Sequence, residues 1–325
     1  MSENESILFV GVQAEEPKDS SNSANFFSAA RRLGVKVCRS ITETPSLVVC
    51  LDWNQAAYAA IKRQKSQGRR AALICFEPSV VSPLSYSKRV QKLFDTVILV
   101  GRPKPPPIVP WPQTWLHSSA MGKSTMVDKA VMIQSAKYSF VRGQLYGLRV
   151  EVAKKDARID VFGRGWSEST LQTTARLLLE LRIALTASAI LDWSTLRTAF
   201  QKPKNYLGPA QSKVSAMGDY RVAVVIENQQ DYMSEKFFDS LFAGCIPVYV
   251  GPDLSRFGIP NSIYVGADPT AESVSESITK ALLMDYEAWS SEVHHFLEDP
   301  ENRLKWDAYQ VLPNILELAL KSRDT

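Results

Sequence analysis

The sequence predicts an α/β protein built from two Rossmann-like domains, and three observations predict it. Short apolar runs rich in Val, Ile and Leu alternate with stretches of helical periodicity, and this alternation occurs twice, on either side of a proline-rich segment. The length of 325 residues suits two cores of ordinary size. A hydrophobic content of 45% against 22% charged residues belongs to a folded globular chain, not to a disordered or fibrous one.

In the first half, ILFVGVQ, VKVCRS, SLVVCLDW, AALICFE and TVILVG read as strands, with helical patterns at 25–33, 54–67 and 86–94. Runs that are apolar on both faces belong inside a parallel sheet covered by helices. The polar stretch EEPKDSSNSAN follows the first strand and is too long for a minimal turn. Loops leaving strand C-termini line ligand crevices, so contact with a substrate and a mobile surface loop are both open readings. After Gly101 comes RPKPPPIVPWPQTW, whose prolines favour an extended path. It reads as a connector between the halves, with docking to an SH3-type partner as the alternative.

In the second half, AVMIQ, RIDVFG, RVAVVIEN, CIPVYVG and SIYVG read as strands, with helices predicted at 138–154, 171–186 and over SEKFFDSLFAG. The tail 301–325 reads as a helix broken or kinked near Pro313. Leu312, Ile315, Leu316, Leu318 and Leu320 supply its apolar face for packing back on the body. The expected division is 1–125, 126–300 and the helical tail 301–325.

A net charge of +4 on 38 basic and 34 acidic residues is mild, and no dense basic stripe interleaves with aromatics, so nucleic acid is not an expected partner. Cys38, Cys50, Cys75 and Cys245 form no CxxC pair and read as small buried hydrophobes. His117, His294 and His295 lack metal-ligand spacing. The N-terminal MSENESILFVGVQAEEPKD has no signal-peptide pattern, and no run approaches ~18 apolar residues, so a cytoplasmic location is expected, with at most peripheral membrane contact.

The most informative segment is 226–236, IENQQDYMSEK. Here an apolar strand ends abruptly in polar residues, which marks a crevice edge. Ser234 is placed to cap the following helix, Phe237, Phe238, Leu241 and Phe242 share its apolar side, and Gly244 suits the position past its end that needs positive φ. Free N–H groups at such a helix start favour phosphate, and Lys236 adds a full charge. Glu235 is positioned to accept from sugar hydroxyls and Tyr232 to stack or hydrogen-bond. The plainer alternative makes Glu235 and Lys236 the solvated face of an amphipathic helix.

IENQQDYMSEKFFDSLFAGCIPVYVGP resembles the signature of the α-1,3-fucosyltransferase family, glycosyltransferase family ten. That signature reads approximately FENS, a short spacer, DY, Val or Ile, TEK, a helix, AG, a small residue and PVYxG. KVSAMGDYRVAVVIEN upstream, and Arg142 in SAKYSFVRGQLYGL followed by IDVFG, resemble further blocks of the family. The resemblance covers 129–265. Ile226 stands for the usual Phe, Gln229 for Ser and Ser234 for Thr, the last keeping the hydroxyl.

The resemblance implies the GT-B arrangement, two Rossmann-like domains facing across a cleft, with 1–125 on the acceptor side and 126–300 binding the donor. It implies inverting transfer of fucose from GDP-fucose to a saccharide hydroxyl of a glycan or glycolipid. Carried over by position, Arg142 and Lys236 hold the donor diphosphate, and Glu227, Asn228, Tyr232, Ser234 and Glu235 shape the donor pocket; Lys213 is a further candidate. No cofactor and no obligatory metal are expected, since Arg142 and Lys236 can neutralise the leaving diphosphate. A different nucleotide-sugar donor, or a catalytically silent nucleotide- or glycan-binding module, remain the alternatives.

Inversion by direct displacement needs a base for the acceptor hydroxyl. Glu77, in AALICFEPSVVSP, directly follows a buried strand and so lies at the sheet's C-terminal edge. The family also places a catalytic Glu in an E-S-P or E-P context. Glu77 is therefore the candidate base, Asp52 is the runner-up, and a simple turn residue before Pro78 is the plain alternative.

Overall fold

The computed structural model describes residues 5–11, 25–102, 108–111 and 126–321. Positions 12–24 of the polar loop, 103–107 and 112–115 of the proline segment, His117 and the last four residues lie outside these. The substrate-loop and SH3-ligand readings fall there. Residue contacts divide the chain into two units, Met1–Leu116 with Arg303–Thr325, and His117–Asn302.

The first unit's sheet holds β1 (Ser6–Gly11), β2 (Lys36–Val37), β3 (Leu47–Leu51), β4 (Arg70–Cys75), β5 (Thr96–Val100) and β6 (Ile108–Val109), all parallel, in the order β2-β1-β3-β4-β5-β6. Every residue of β3 is buried, as a central strand covered on both faces requires. The connecting helices are α1 (Phe26–Arg32), α2 (Ala57–Ser66) and α3 (Lys88–Gln91). Asn25 and Ser28 exchange side-chain and backbone bonds in a capping box that starts α1. The helix expected at 86–94 is shorter: a 3₁₀ turn, Pro83–Tyr86, comes first, and Ser87 restarts the chain by capping α3 through Val90 N.

The second unit repeats the plan with β7 (Val127–Ile133), β8 (Ile159–Phe162), β9 (Tyr206–Gly208), β10 (Tyr220–Ile226), β11 (Ile246–Val250) and β12 (Val265–Gly266), again all parallel, in the order β12-β11-β10-β7-β8-β9. This is the doubly wound order, in which the direction of winding reverses between β7 and β10 and leaves a crevice at their C-terminal ends. Its helices are α4 (Tyr146–Lys155), α5 (Thr170–Thr186), α6 (Thr195–Thr198), α7 (Lys213–Met217), α8 (Lys236–Phe242), α9 (Ala271–Leu283) and α10 (Tyr286–Glu298). The helix expected over 138–154 begins only at Tyr146. Residues 141–145 are tied sideways instead: Val141 bridges Leu191, and Leu145 N donates to Asn228 O at 3.1 Å.

The tail forms α11 (Pro300–Trp306) and α12 (Ala308–Lys321), so the break falls at Asp307 and not at Pro313. Pro313 sits inside α12. Its missing N–H would leave Tyr309 O without an intrahelical donor. Arg32 Nη1 donates to that carbonyl, and the guanidinium lies 3.6 Å from the Tyr309 ring centre. Leu312, Ile315, Leu316 and Leu320 are buried, as their spacing suggests, whereas Leu318 is 48% exposed. Arg70 donates to Ala319 O and Leu320 O, pinning the end of α12 to β4. The four cysteines are buried and none is in a disulfide. Among the described residues no helix is long and apolar enough to cross a membrane.

Candidate functional site

β10 delivers Glu227 and Asn228 to the C-terminal edge of the second sheet, beside the end of β7 where the winding reverses. Glu227 is fully buried, and its carboxylate is the hub of a small network. Ser234 N donates to one oxygen at 2.8 Å and Ser234 Oγ to the other at 2.7 Å. Tyr249 Oη donates at 3.4 Å, and Lys236 Nζ lies 3.6 Å away while donating to Ser234 Oγ at 2.9 Å. Burial, reinforced by the Glu227 charge, pushes the Tyr249 phenol well above its ordinary range, so it remains a donor. Gly251 makes this packing feasible, because a Cβ there would lie 2.5 Å from Tyr249 Oη and 2.9 Å from Glu227 Cγ.

Ser234 does not act as the helix cap. The residue flanking α8 is Glu235, in helical conformation and without a side-chain cap bond; Ser234 Oγ approaches Lys236 N only at 3.5 Å and serves Glu227 and Lys236 Nζ instead. Since α8 has seven residues, positive charge at this corner comes chiefly from the Lys236 ammonium and little from a helix dipole. Gly244 takes the expected left-handed conformation, φ 64°, after α8.

Glu235 pairs with Lys213, whose Nζ lies 2.9 Å from Glu235 and 2.8 Å from Asp239. Burial raises the Glu235 carboxyl, but the Lys236 and Lys213 charges outweigh it and hold the group at about 2. Lys213 thus anchors α7 to α8. Tyr232 is 1% exposed and lies within the core of this corner.

Arg142 belongs to the irregular stretch between β7 and α4 and is exposed. Its N–H donates to Ile190 O at 2.9 Å, and two residues later Gln144 bridges Gln229. The stretch is therefore laid along the loop that leaves β10, which brings Arg142, Asn228 and Gln229 into one neighbourhood. Of the positions picked from the sequence, Glu227, Ser234 and Lys236 join into one network, and Glu235 beside it pairs with Lys213.

Sequence reasoning passed over three groups that hold this corner. Arg149 on α4 is buried, and its Nη2 donates to Ile226 O at 2.8 Å and to Asn228 Oδ1 at 2.7 Å. Burial lowers its pKa, with Tyr146 and Glu227 opposing the shift. Gln134, just past β7, donates to Ile226 O at 2.9 Å, and Tyr249 completes the set. An arginine in a helix that otherwise faces the core was the available signal for Arg149.

A cavity of about 310 Å³ lies on the same sheet edge, lined by Tyr138, Trp166, Glu168, Thr173, Phe200 and Lys202 among others. Trp166 Nε1 donates to Gln134 O at 2.7 Å, so one residue links the cavity wall to the end of β10. One Glu168 oxygen lies 2.6 Å from Arg176 Nη1; the other is buried without a hydrogen-bond partner.

In the first unit, Glu77 follows β4 by two positions and is half-buried. Its N–H donates to both oxygens of Asp52 at 3.3 Å, and Phe76 N donates to Asp52 Oδ1 at 3.1 Å. Asp52 itself is 1% exposed and adopts φ 52° where β3 ends, beside β1 at that sheet's reversal of winding. Burial, then the Glu77 charge, pushes its carboxyl up to about 8. The base candidate and its runner-up are thus neighbours, one of them buried and the other at the surface of the edge.

No family model matches the chain. Over 42 residues it is 50% identical to a fucosyltransferase-like protein of Arabidopsis thaliana, a stretch that spans 12% of this chain and 8% of that protein. Among solved structures, an α1,3-fucosyltransferase superposes with a TM-score of 0.51 at 10% identity, covering 98% of this chain and 90% of that one. Anabaena HepE in complex with UDP and glucose gives 0.55 at 8% identity, covering 98% and 100%. A trehalose-6-phosphate synthase gives 0.52 at 10% identity, covering 98% and 94%. The last of these transfers with retention, so the shared fold leaves stereochemistry to the site. What is common to all three is the fold, and this chain has it: the GT-B type of glycosyltransferases, with a parallel α/β sheet in each unit.

Proposed function

We propose that the protein is an inverting glycosyltransferase of the α-1,3-fucosyltransferase type, moving fucose from GDP-fucose to a saccharide hydroxyl. The observation that carries this reading is the junction at the end of β10, where Glu227, Ser234 and Lys236 interlock beside the stretch bearing Arg142. Glu227 and Ser234 are buried and hold the Lys236 ammonium, whose side chain is itself 20% exposed. A preorganised cation of this kind, with an exposed arginine nearby, suits a diphosphate whose negative charge grows as the bond to the sugar breaks.

In the reaction, the acceptor oxygen attacks the anomeric carbon as its proton passes to the Glu77 carboxylate. The bond from that carbon to the diphosphate oxygen breaks, and the electron pair leaves with GDP, facing Arg142 and Lys236. Asp52 acts through the backbone, holding the Phe76 and Glu77 N–H groups. We assign the base of the nucleotide to the cavity beside Trp166. Aromatic walls provide stacking, and the buried Glu168 oxygen that no protein group satisfies can accept from the adjacent ring and amino N–H groups of guanine, a pair that uracil lacks.

The test is protection against thermal unfolding by GDP-fucose, GDP-mannose, GDP and UDP-glucose, followed by transfer assays with the protecting donor. Guanine nucleotides should protect, by about 2.7 kcal/mol at a hundred times Kd, and GDP-fucose should release GDP when acceptor is added. Protection by UDP-glucose alone would replace the donor, and binding without turnover would make the chain a nucleotide-binding module.

A further inference from the structure

Along α5, Leu171, Leu178 and Leu185 recur at seven-residue spacing and are 80%, 64% and 58% exposed. That spacing places them in one stripe, while Thr173, Leu177 and Ala184 on another side are buried. The chain then runs back beside the helix. Ala189 N donates to Ala184 O near its end, and Phe200 and Lys202 line the same cavity as Thr170 and Thr173 of its first turn. This returning stretch exposes Ile190 by 69%, Trp193 by 53% and Phe200 by 54%. So many large apolar side chains on two adjacent tracks mark an interaction surface.

The charge on this surface has one sign. Between 171 and 207 the exposed charged residues are Arg182, Arg197, Lys202 and Lys204. The acids there, Glu180 and Asp192, are half-buried: Glu180 faces Arg176 and Lys137, and Asp192 accepts from Ser194 N. We infer that this face docks on a bilayer surface containing anionic lipid, its leucines, Ile190 and Trp193 entering the acyl boundary while Arg182, Arg197 and Lys204 meet head-group phosphates. A helix with an apolar stripe and a basic flank, accompanied by aromatic side chains, has the chemistry of an interfacial segment. A two-fold contact between copies of the chain would instead set these like charges against one another. Arg142 N donates to Ile190 O, so the surface adjoins the candidate donor site, yet the docking stands without the transferase reading.

Flotation of the full chain with vesicles of phosphatidylcholine, alone or mixed with phosphatidylglycerol, tests the inference. Binding should require the anionic lipid and weaken with salt. Leu178→Glu with Leu185→Glu should reduce it by roughly tenfold or more, and Arg182→Glu with Arg197→Glu should abolish the lipid preference. Leu283→Glu, at an 82% exposed leucine on α9, should leave binding unchanged. Thermal melts matching the wild type establish that the variants fold. Absence of wild-type binding, equal loss in the Leu283 variant, or a leucine-dependent dimer in ultracentrifugation without vesicle binding would overturn it.

Discussion

At the reversal point of the second sheet, between β7 and β10, a carboxylate, a hydroxyl, a phenol and an ammonium interlock around Glu227. At the corresponding point of the first sheet, between β1 and β3, a single buried carboxyl, Asp52, holds two backbone N–H groups at a positive φ and is raised to about 8. The same topology has been filled in opposite ways. One edge fixes a cation beside a buried carboxylate; the other buries a carboxyl, raises it, and sets a second one, Glu77, at its rim. Binding an anion and accepting a proton ask for different environments, and one fold duplicated within a chain can supply both.

The largest effect should come from the first unit. Glu77→Gln should lower transfer by about 10²–10⁴-fold while GDP affinity stays at the wild-type value; unchanged turnover would remove Glu77 from the chemistry and collapse the contrast. Next comes the second unit's frame. Glu227→Ala leaves Lys236 without its buried counter-charge and Ser234 N without an acceptor, and should cost about 3 kcal/mol of stability, read from denaturant midpoints. The smallest effect is on pH dependence. Because the folded-state pKa of Asp52 lies above its unfolded value, near 3.8, its contribution to stability is full below pH 4 and is lost as pH rises toward 8. Asp52→Asn should flatten that decline between pH 5 and 8, and a decline of the same steepness in the variant would show that Asp52 ionises freely.

The strands were legible because a buried parallel strand must be apolar along its length, and SLVVCL or RVAVVI admits little else. The junction at 226–236 was legible for a related reason, since an apolar run that stops at Glu-Asn has to emerge somewhere polar. What escaped is non-local. Arg149 lies 79 positions from the Asn228 it holds, and nothing in YGLRVEVAKK names that partner. The start of α4 escaped because residues 141–145 bond sideways to 190–191 and 228–229, which outweighs their helical periodicity. Pro313 suggested a break because local rules cannot include Arg32, which supplies the donor the helix lacks.

The claim on which the rest depends is that the partly exposed Lys236 ammonium, with Arg142, meets the diphosphate of the donor. Calorimetric titration of GDP into wild type, Lys236→Ala and Arg142→Ala tests it without requiring the acceptor. Each variant should bind GDP about tenfold or more weakly, a loss of about 1.4 kcal/mol or more, while melting within a few degrees of wild type. GDP affinity equal to wild type in both variants would contradict the assignment.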